Sequence, residues 1–529
     1  MQDLYIQNFK GIRKVNPIVD VAASGIISAV TCRNVELKYT QNGDNVGIYT
    51  AKGNKAVKDI GKTVIAQFES VQSGVVYWFI YAVDGEQGYI YQYDTLKDEL
   101  ILLKEGLAVN NVANGITIAQ GYNDWFVFTN GIDDYLAICM AQELEEDRIK
   151  FLNAVDAEER EIRGLGLEAY DGRLVTFCEN RVHWSAQTNI FDWSGSNPEL
   201  TTAPAYQEFD RNITAIIYYN DMLIAFTDDY STYFKGNPAD ALNFERGGAS
   251  GGGCASFKSV IKFDNKLFYY DNKAKNVFAY YLLDSGQTRP TSGLADNVIE
   301  FFAGLYQDKL KEIEVVSFIS GDKSEIWFKL PYLDRNKILI FDYLKQEWIE
   351  RKAQDDIRAI AVINGGLYSA TDTKVLKEYM TSDFDGGYIP SEYKMNVINV
   401  GSDSNLKVPK MPLIMTLDFD YENDFYIEFI YDDKPERSKT KRVIKLSKSY
   451  LKWADSQTSE NGGFWAVNAD DENGGIWVSA DKENVMFNLA GLLNFKQLQI
   501  KVFTKEDGQE FGIKRFELKR VKTKSKTIG

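Results

Sequence analysis

LEAYDGRLVTF (167–177), IIYYNDMLIAF (216–226) and VIKFDNKLFYY (260–270) repeat one local design. In each, a short hydrophobic strand meets two turn residues and is answered by a second strand. The turn pairs Asp171-Gly172, Asn220-Asp221 and Asp264-Asn265 suit the positive φ angles of a tight two-residue hairpin. The flanks read as the alternating pattern of half-buried strands. The hairpins recur roughly every 45 residues, the spacing of successive four-stranded blades in a β-propeller.

Working outward, residues 63–103 contain the clearest single blade. TVIAQFESV, VVYWFIYAV, GYIYQYD and DELILL are four strands separated by Gly74, Gly85/Gly88 and Leu96-Lys97. ITIAQGYNDWFVFTNGIDDYLAIC (116–139) starts another, with Asn123-Asp124 as its expected turn, and ILIFDYLKQEW (338–348) repeats the end of the first. The acidic and basic residues of 141–163 read as a solvated excursion. IEFFAGLYQDKL (299–310) is the best helix candidate. The pattern breaks at DFDGGYIP (383–390), which marks a domain boundary. The expected organisation is therefore all-β. A propeller of six to eight blades occupies 1–390, with the first β segment closing the ring against a late blade. A C-terminal antiparallel, sandwich-like module occupies 391–529.

At 529 residues and 44% hydrophobic content the chain can bury a large interior, and 31 Tyr with 31 Phe favour pleated surfaces and interfaces. No run approaches the roughly 20 apolar residues of a membrane span, and MQDLYIQNFKGIRK has no signal-peptide core. Cys32, Cys139, Cys178 and Cys254 are widely spaced and read as buried thiols of a reducing compartment. A net charge of −16 argues against tight nucleic-acid binding, which calls for a basic surface.

Catalytic constellations are missing. His183 is the only histidine, so zinc sites and Ser-His-Asp triads lack parts. GGASGGGCASFK (247–258) lacks the Gly-Lys-Ser/Thr ending of a phosphate loop. Asp228/Asp229, Asp355/Asp356 and Asp470/Asp471 are adjacent in strands and so point to opposite faces, unlike a glycosidase pair. NADDENGG (468–475) lacks the EF-hand ligand spacing. The basic end FGIKRFELKRVKTKSKTIG (511–529) reads as a solvated last strand or a contact with an acidic neighbour. The expectation is no enzyme, no cofactor and no metal.

The order of several degenerate segments resembles the tail accessory proteins of short-tailed bacteriophages, also called packaged-DNA stabilisation, tail hub or nozzle proteins. The residues that carry it are Gly172, Arg173, Ser185, Asp192 and Trp193, then Gly236, Phe244, Arg246, Gly247, Gly253 and Cys254. Arg289, Ser292, Asp342, Trp348 and Arg351 follow. The likeness covers about 165–380 well, the N-terminal part loosely and the last module hardly at all. It implies a structural virion protein, made in the host cytoplasm and assembled into the tail. Its partners would be copies of itself in a ring, a hexamer, and the portal, adaptor and other tail proteins. That ring would extend and close the DNA channel, retain the packaged genome until ejection and let double-stranded DNA pass without sequence-specific contact. The acidic charge fits such a lumen, because Lys and Arg there would trade counterions for phosphates and hold the genome. The alternative expectation is a propeller scaffold that recognises a carbohydrate or protein partner; a propeller glycoside hydrolase comes third.

Overall fold

The computed structural model describes residues 2–14, 26–39, 45–194, 202–240, 242–250, 252–282, 288–290, 292–398, 406–409, 413–418, 421, 423–432, 434–445, 475–478, 484–487 and 497–524. The chain divides into two compact units, one of residues 56–338 and 355–378, the other of 1–55, 339–354 and 379–529.

The first unit is a seven-bladed β-propeller. Blade 1 is Thr63–Gln72, Val75–Asp84, Gln87–Asp94 and Glu99–Leu107. Blade 2 is Asn114–Gln120, Asn123–Thr129, Tyr135–Ile138 and Ile149–Leu152. Blade 3 is Leu167–Tyr170, Arg173–Cys178, Arg181–Trp184 and Ala205–Glu208. Blade 4 is Ile213–Tyr219, Met222–Thr227, Ser231–Lys235 and Glu245–Ser250. Blade 5 is Val260–Phe263, Lys266–Asp271, Asn276–Leu282 and Thr288–Pro290. The inner hairpin of blade 6 is Glu314–Ser320 with Lys323–Leu330. Blade 7 is Ala359–Ile363, Gly366–Ala370 and Lys374–Glu378, with Asn54–Asp59 as its outermost strand.

The innermost strand of each blade packs against that of the next, and the last, Ala359–Ile363, packs against the first, Thr63–Gln72. The ring is therefore closed, but the strand that completes its last blade is Asn54–Asp59 and not the first β segment, since Gln2–Ile6 pairs with Gly512–Lys524.

The cores lie between blades. Trp125, Val127 and Tyr135 of blade 2 meet Leu167 and Leu174 of blade 3. Val64, Trp78 and Ile80 of blade 1 meet Ala361 and Val375 of blade 7. A middle strand thus has an apolar neighbour on both faces, and Met222–Thr227 is buried along its whole length. This corrects the expectation of half-buried alternation: stacking between two sheets removes the polar face, as in other sheets covered on both sides.

All three signature turns have both central residues at positive φ: Asp171 and Gly172 at 51° and 66°, Asn220 and Asp221 at 49° and 60°, Asp264 and Asn265 at 47° and 53°. The expected turn at Asn123-Asp124 is instead Gly121-Tyr122, since Gln120 pairs with Asn123 and Gly121 supplies the positive φ. A second turn device recurs at Asp94, Asp271 and Asp342. Each carboxylate accepts backbone N–H groups two or three residues on, Leu96 and Lys97, Lys273 and Ala274, and Lys345 respectively. The fourth residue after each, Asp98, Lys275 or Gln346, is left-handed. The helix expected over 299–310 is one turn, Ile299–Ala303, ended by Gly304 and followed by 3₁₀ turns over Gln307–Glu312. Within 141–163, Ile149–Leu152 is the outer strand of blade 2.

The second unit is two sheets. One runs Val35–Tyr39, Asn45–Thr50, Gly512–Lys524, Leu413–Leu417 and Asn484–Phe487, with Gln2–Ile6 and Leu406–Pro409 also on Gly512–Lys524. The other includes Asn8–Ile12, Ile26–Arg33, Glu392–Met395, Leu498–Phe503, Asp424–Tyr431, Lys434–Lys445 and Gly475–Val478. Phe9 packs edge-on against Phe516, and Phe425 against Phe511, so the two layers share a core. Pairing is mostly antiparallel, with parallel exceptions where Ile26–Arg33 meets Asn8–Ile12 and Glu347–Arg351, and where Lys434–Lys445 meets Gly475–Val478.

The division at 390 is thereby corrected. Residues 1–55 belong with the C-terminal unit because their strands find partners there, Gln2 opposite Val521 and Tyr49 opposite Gly512. Residues 339–354 join them, and Gly11 shows why: its N–H donates to Glu347 Oε2 at 2.9 Å, and a Cβ there would collide with the Trp348 carbonyl.

Candidate functional site

The sixteen residues of the sequence signature do not converge on one place. Asp342, Trp348 and Arg351 lie in the two-sheet unit and the rest in the propeller. Nearly all of those with described side chains are framework. Gly172 sits in the blade 3 turn. Arg173 beside it is fully buried, and its guanidinium donates to the carbonyls of Ser185 (2.8 Å) and Ala203 (2.6 Å) and to Asn237 Oδ1 (3.1 Å). Burial holds its pKa below the ordinary arginine value. Ser185 Oγ accepts the Leu174 N–H, the Asp192 carbonyl accepts the Ala186 N–H, and Trp193 donates its indole N–H to Ile190.

In blade 4, Phe244 stacks on Phe234 at 5.5 Å and the exposed Arg246 covers the Phe209 ring at 4.7 Å. A Cβ at Gly236, Gly247 or Gly253 would strike Asn243, Tyr233 or Asp228. Cys254 is buried, its thiol pushed up to about 12 by burial. Arg289 pairs through its backbone with Tyr281, and Ser292 is exposed. Asp342 holds its turn and Lys345, Trp348 packs on Phe341, and Arg351 donates to the Lys52 carbonyl beneath the Phe384 ring.

The other singled-out groups are also structural. His183 is buried in blade 3 near Tyr206, and burial lowers its pKa to about 4. Asp228 and Asp229 are both paired with Arg211 and Lys273. Asp356 accepts the Asn336 N–H. Among the four free cysteines, Cys178 is half-buried and the others are buried. Asp470, Asp471 and the NADDENGG loop lie outside the described residues. Among the described residues no cluster of three or more His, Cys, Asp or Glu is placed to hold a metal, and no helix is long and apolar enough to cross a membrane.

The feature that sequence reading missed is a cavity of about 580 Å³ at the end of the propeller where the inner strands begin. Blades 1, 6 and 7 supply most of its wall, including Lys62, Asp84, Lys309, Glu312, Lys329, Arg358 and Asp372. Two cations are neutralised by neighbours across a hairpin: Lys62 Nζ lies 2.9 Å from Asp84, and Arg358 Nε 2.8 Å from Asp372. Lys62 is held above the ordinary lysine value by its hydrogen bond to Asp84.

Beneath them Glu314 joins three blades. It sits 2.6 Å from Lys258 Nζ and 3.5 Å from Lys329 Nζ, and it accepts the Ile360 N–H at 3.0 Å. Burial disfavours its charge, but the two ammonium groups overcome this and hold its carboxyl below the usual range. Burial likewise lowers Lys329, against the pull of Glu314. The buried Glu314 between the half-buried Lys258 and the buried Lys329, with Glu312 acting on Lys329 from further off, leaves one positive charge in surplus once Lys309 is counted. Lys309 and Glu312, at the rim, form no ion pair among the described residues. None of these positions belongs to a motif, because loops of three separate blades bring them together.

The geometry is that of a β-propeller protein with a charged cavity at one end of its blades. No protein-family model matches the chain, and no curated protein matches it. Among solved structures, BamB from Moraxella catarrhalis is similar over 65% of this chain and 93% of its own, with a TM-score of 0.34 and 10% identity. The Pan2 WD40 domain of Neurospora crassa is similar over 62% of this chain and 95% of its own, with a TM-score of 0.37 and 10% identity.

Proposed function

We propose that this chain is a non-catalytic scaffold that recognises a protein partner through the mouth of its propeller. The observation that carries the reading is the makeup of the cavity wall. It offers two ion pairs, Lys62 with Asp84 and Arg358 with Asp372, and two charges outside any ion pair among the described residues, Lys309 and Glu312, with neither histidine nor cysteine in the lining. Such a wall selects by charge and shape. A photo-crosslinking residue at position 309, in the cell that makes the protein, should label one defined partner. Labelling that is absent, or that matches a probe at exposed Lys235 in blade 4, would count against it. The isolated chain should leave a glycan panel intact.

A second, narrower reading is the tail-nozzle subunit. It rests on the order of the segments that carry the resemblance. Apart from exposed positions such as Arg246 and Ser292, they hold turns and blade cores, so they support a shared architecture more directly than a shared role. Purified virions should then contain the protein in several copies, as a ring. Its absence from particles would remove this reading and leave the scaffold reading standing.

A further inference from the structure

We propose that the cavity at the strand-entry end of the propeller is an oxyanion site, binding a carboxylate or phosphate group against Lys309 and Lys329. Four cations of the wall face three carboxylates, and the pairing is uneven. Lys62 and Arg358 are satisfied by Asp84 and Asp372. Lys329 shares Glu314 with the closer Lys258 and feels the more distant Glu312, and its shortest contact is the uncharged Arg358 carbonyl at 2.5 Å, so three ammonium groups, Lys258, Lys309 and Lys329, meet two carboxylates. Its side chain is nine-tenths buried, so this charge is screened weakly. Burying an ammonium group without a full counter-charge is costly, and an anion entering the cavity would lower that cost. Lys309, with no ion pair of its own, is free to close on the same group. Charge-assisted hydrogen bonds from two ammonium groups suit an oxygen-rich anion.

The volume, about 580 Å³, exceeds a single carboxylate or phosphate. The anion is therefore carried on something larger or shares the space with water. Two sources have this chemistry, a small polyanion free in solution and an acidic side chain of a protein. The second rests on the scaffold reading above; the site itself does not.

Isothermal titration of the full chain at low salt separates these, with inorganic phosphate, citrate and a hexaglutamate peptide as probes. One equivalent of anion should bind, more weakly as salt rises. Lys309→Ala should weaken binding about tenfold or more, Glu312→Gln should strengthen it, and Lys235→Ala should leave it unchanged. The opposite signs at 309 and 312, both at the rim, do not depend on the buried Lys329 tolerating substitution. Hexaglutamate binding supports the site with a protein as its source. Phosphate or citrate binding without hexaglutamate supports the site and counts against docking of an acidic partner there. No binding of any probe, or equal weakening by Lys235→Ala, would overturn the proposal.

Discussion

Arg173 shows how a charged residue becomes framework. Its position directly after a left-handed turn carries it into the interior of blade 3, where its guanidinium meets backbone carbonyls that no strand satisfies. Arg173→Met keeps much of the volume but strands those acceptors, and a loss of about 3–5 kcal/mol is expected, read as a fall in the urea midpoint. Lysine lacks the fork and should not restore stability. His183 gives a pH dependence. Its folded pKa of about 4 lies below the ordinary value of 6.5, because burial disfavours the cation. The unfolded chain therefore takes up the proton first. Stability from this residue is intact above pH 6.5 and declines as pH falls toward 4, by about 3 kcal/mol over the window. Glu168 and Glu347, raised by burial, push the other way, so the comparison must be with His183→Gln. That variant should show a shallower decline in melting temperature between pH 6.5 and 4; parallel curves would refute the assignment.

At the scale of elements, the hairpins were legible because turn chemistry is local. Asp-Gly, Asn-Asp and Asp-Asn leave few backbone choices once flanked by apolar runs. The same locality accounts for the misplaced turn at 123–124: Asn-Asp and Gly-Tyr lie side by side, and register decides between them. Asn265, at φ 53°, offers a test. Asn265→Val places a β-branched side chain in the left-handed region and should cost about 1–2 kcal/mol in a thermal melt, although its neighbours hardly change. The charged mouth was not legible. Lys62, Lys329 and Arg358 come from loops or strand ends of blades 1, 6 and 7, and nothing in their local sequence distinguishes them from solvated lysines and arginines. The turn-forming Asp94, Asp271 and Asp342 could have been found, since each closes a hydrophobic strand and a carboxylate there is suited to accept backbone N–H groups of the following turn.

At the scale of the whole molecule, the first 55 residues were assigned to the wrong unit because pairing such as Gln2 with Val521 leaves no periodic trace in either segment. Ring closure has the same long-range character. Asn54–Asp59 comes before all other strands of the propeller, yet its sheet neighbour is Lys374–Glu378, more than three hundred positions later. Until that strand docks, blade 7 has three strands and an open edge, and open edges invite pairing with other chains. Val57 packs against the core shared by blades 7 and 1, while Lys58 pairs with Asp98 of blade 1 at 2.9 Å. The strand therefore ties the last blade to the first. Val57→Asp sets an unpaired carboxylate against that core, at an expected cost of about 2–3 kcal/mol. Lys58→Ala removes only a partly exposed ion pair and should cost under about 1 kcal/mol. If the strand closes the ring, Val57→Asp should also promote aggregation at temperatures below global unfolding, seen by light scattering ahead of the loss of circular dichroism. Scattering and unfolding that stay coincident, as in Lys58→Ala, would mean that the ring holds without this strand.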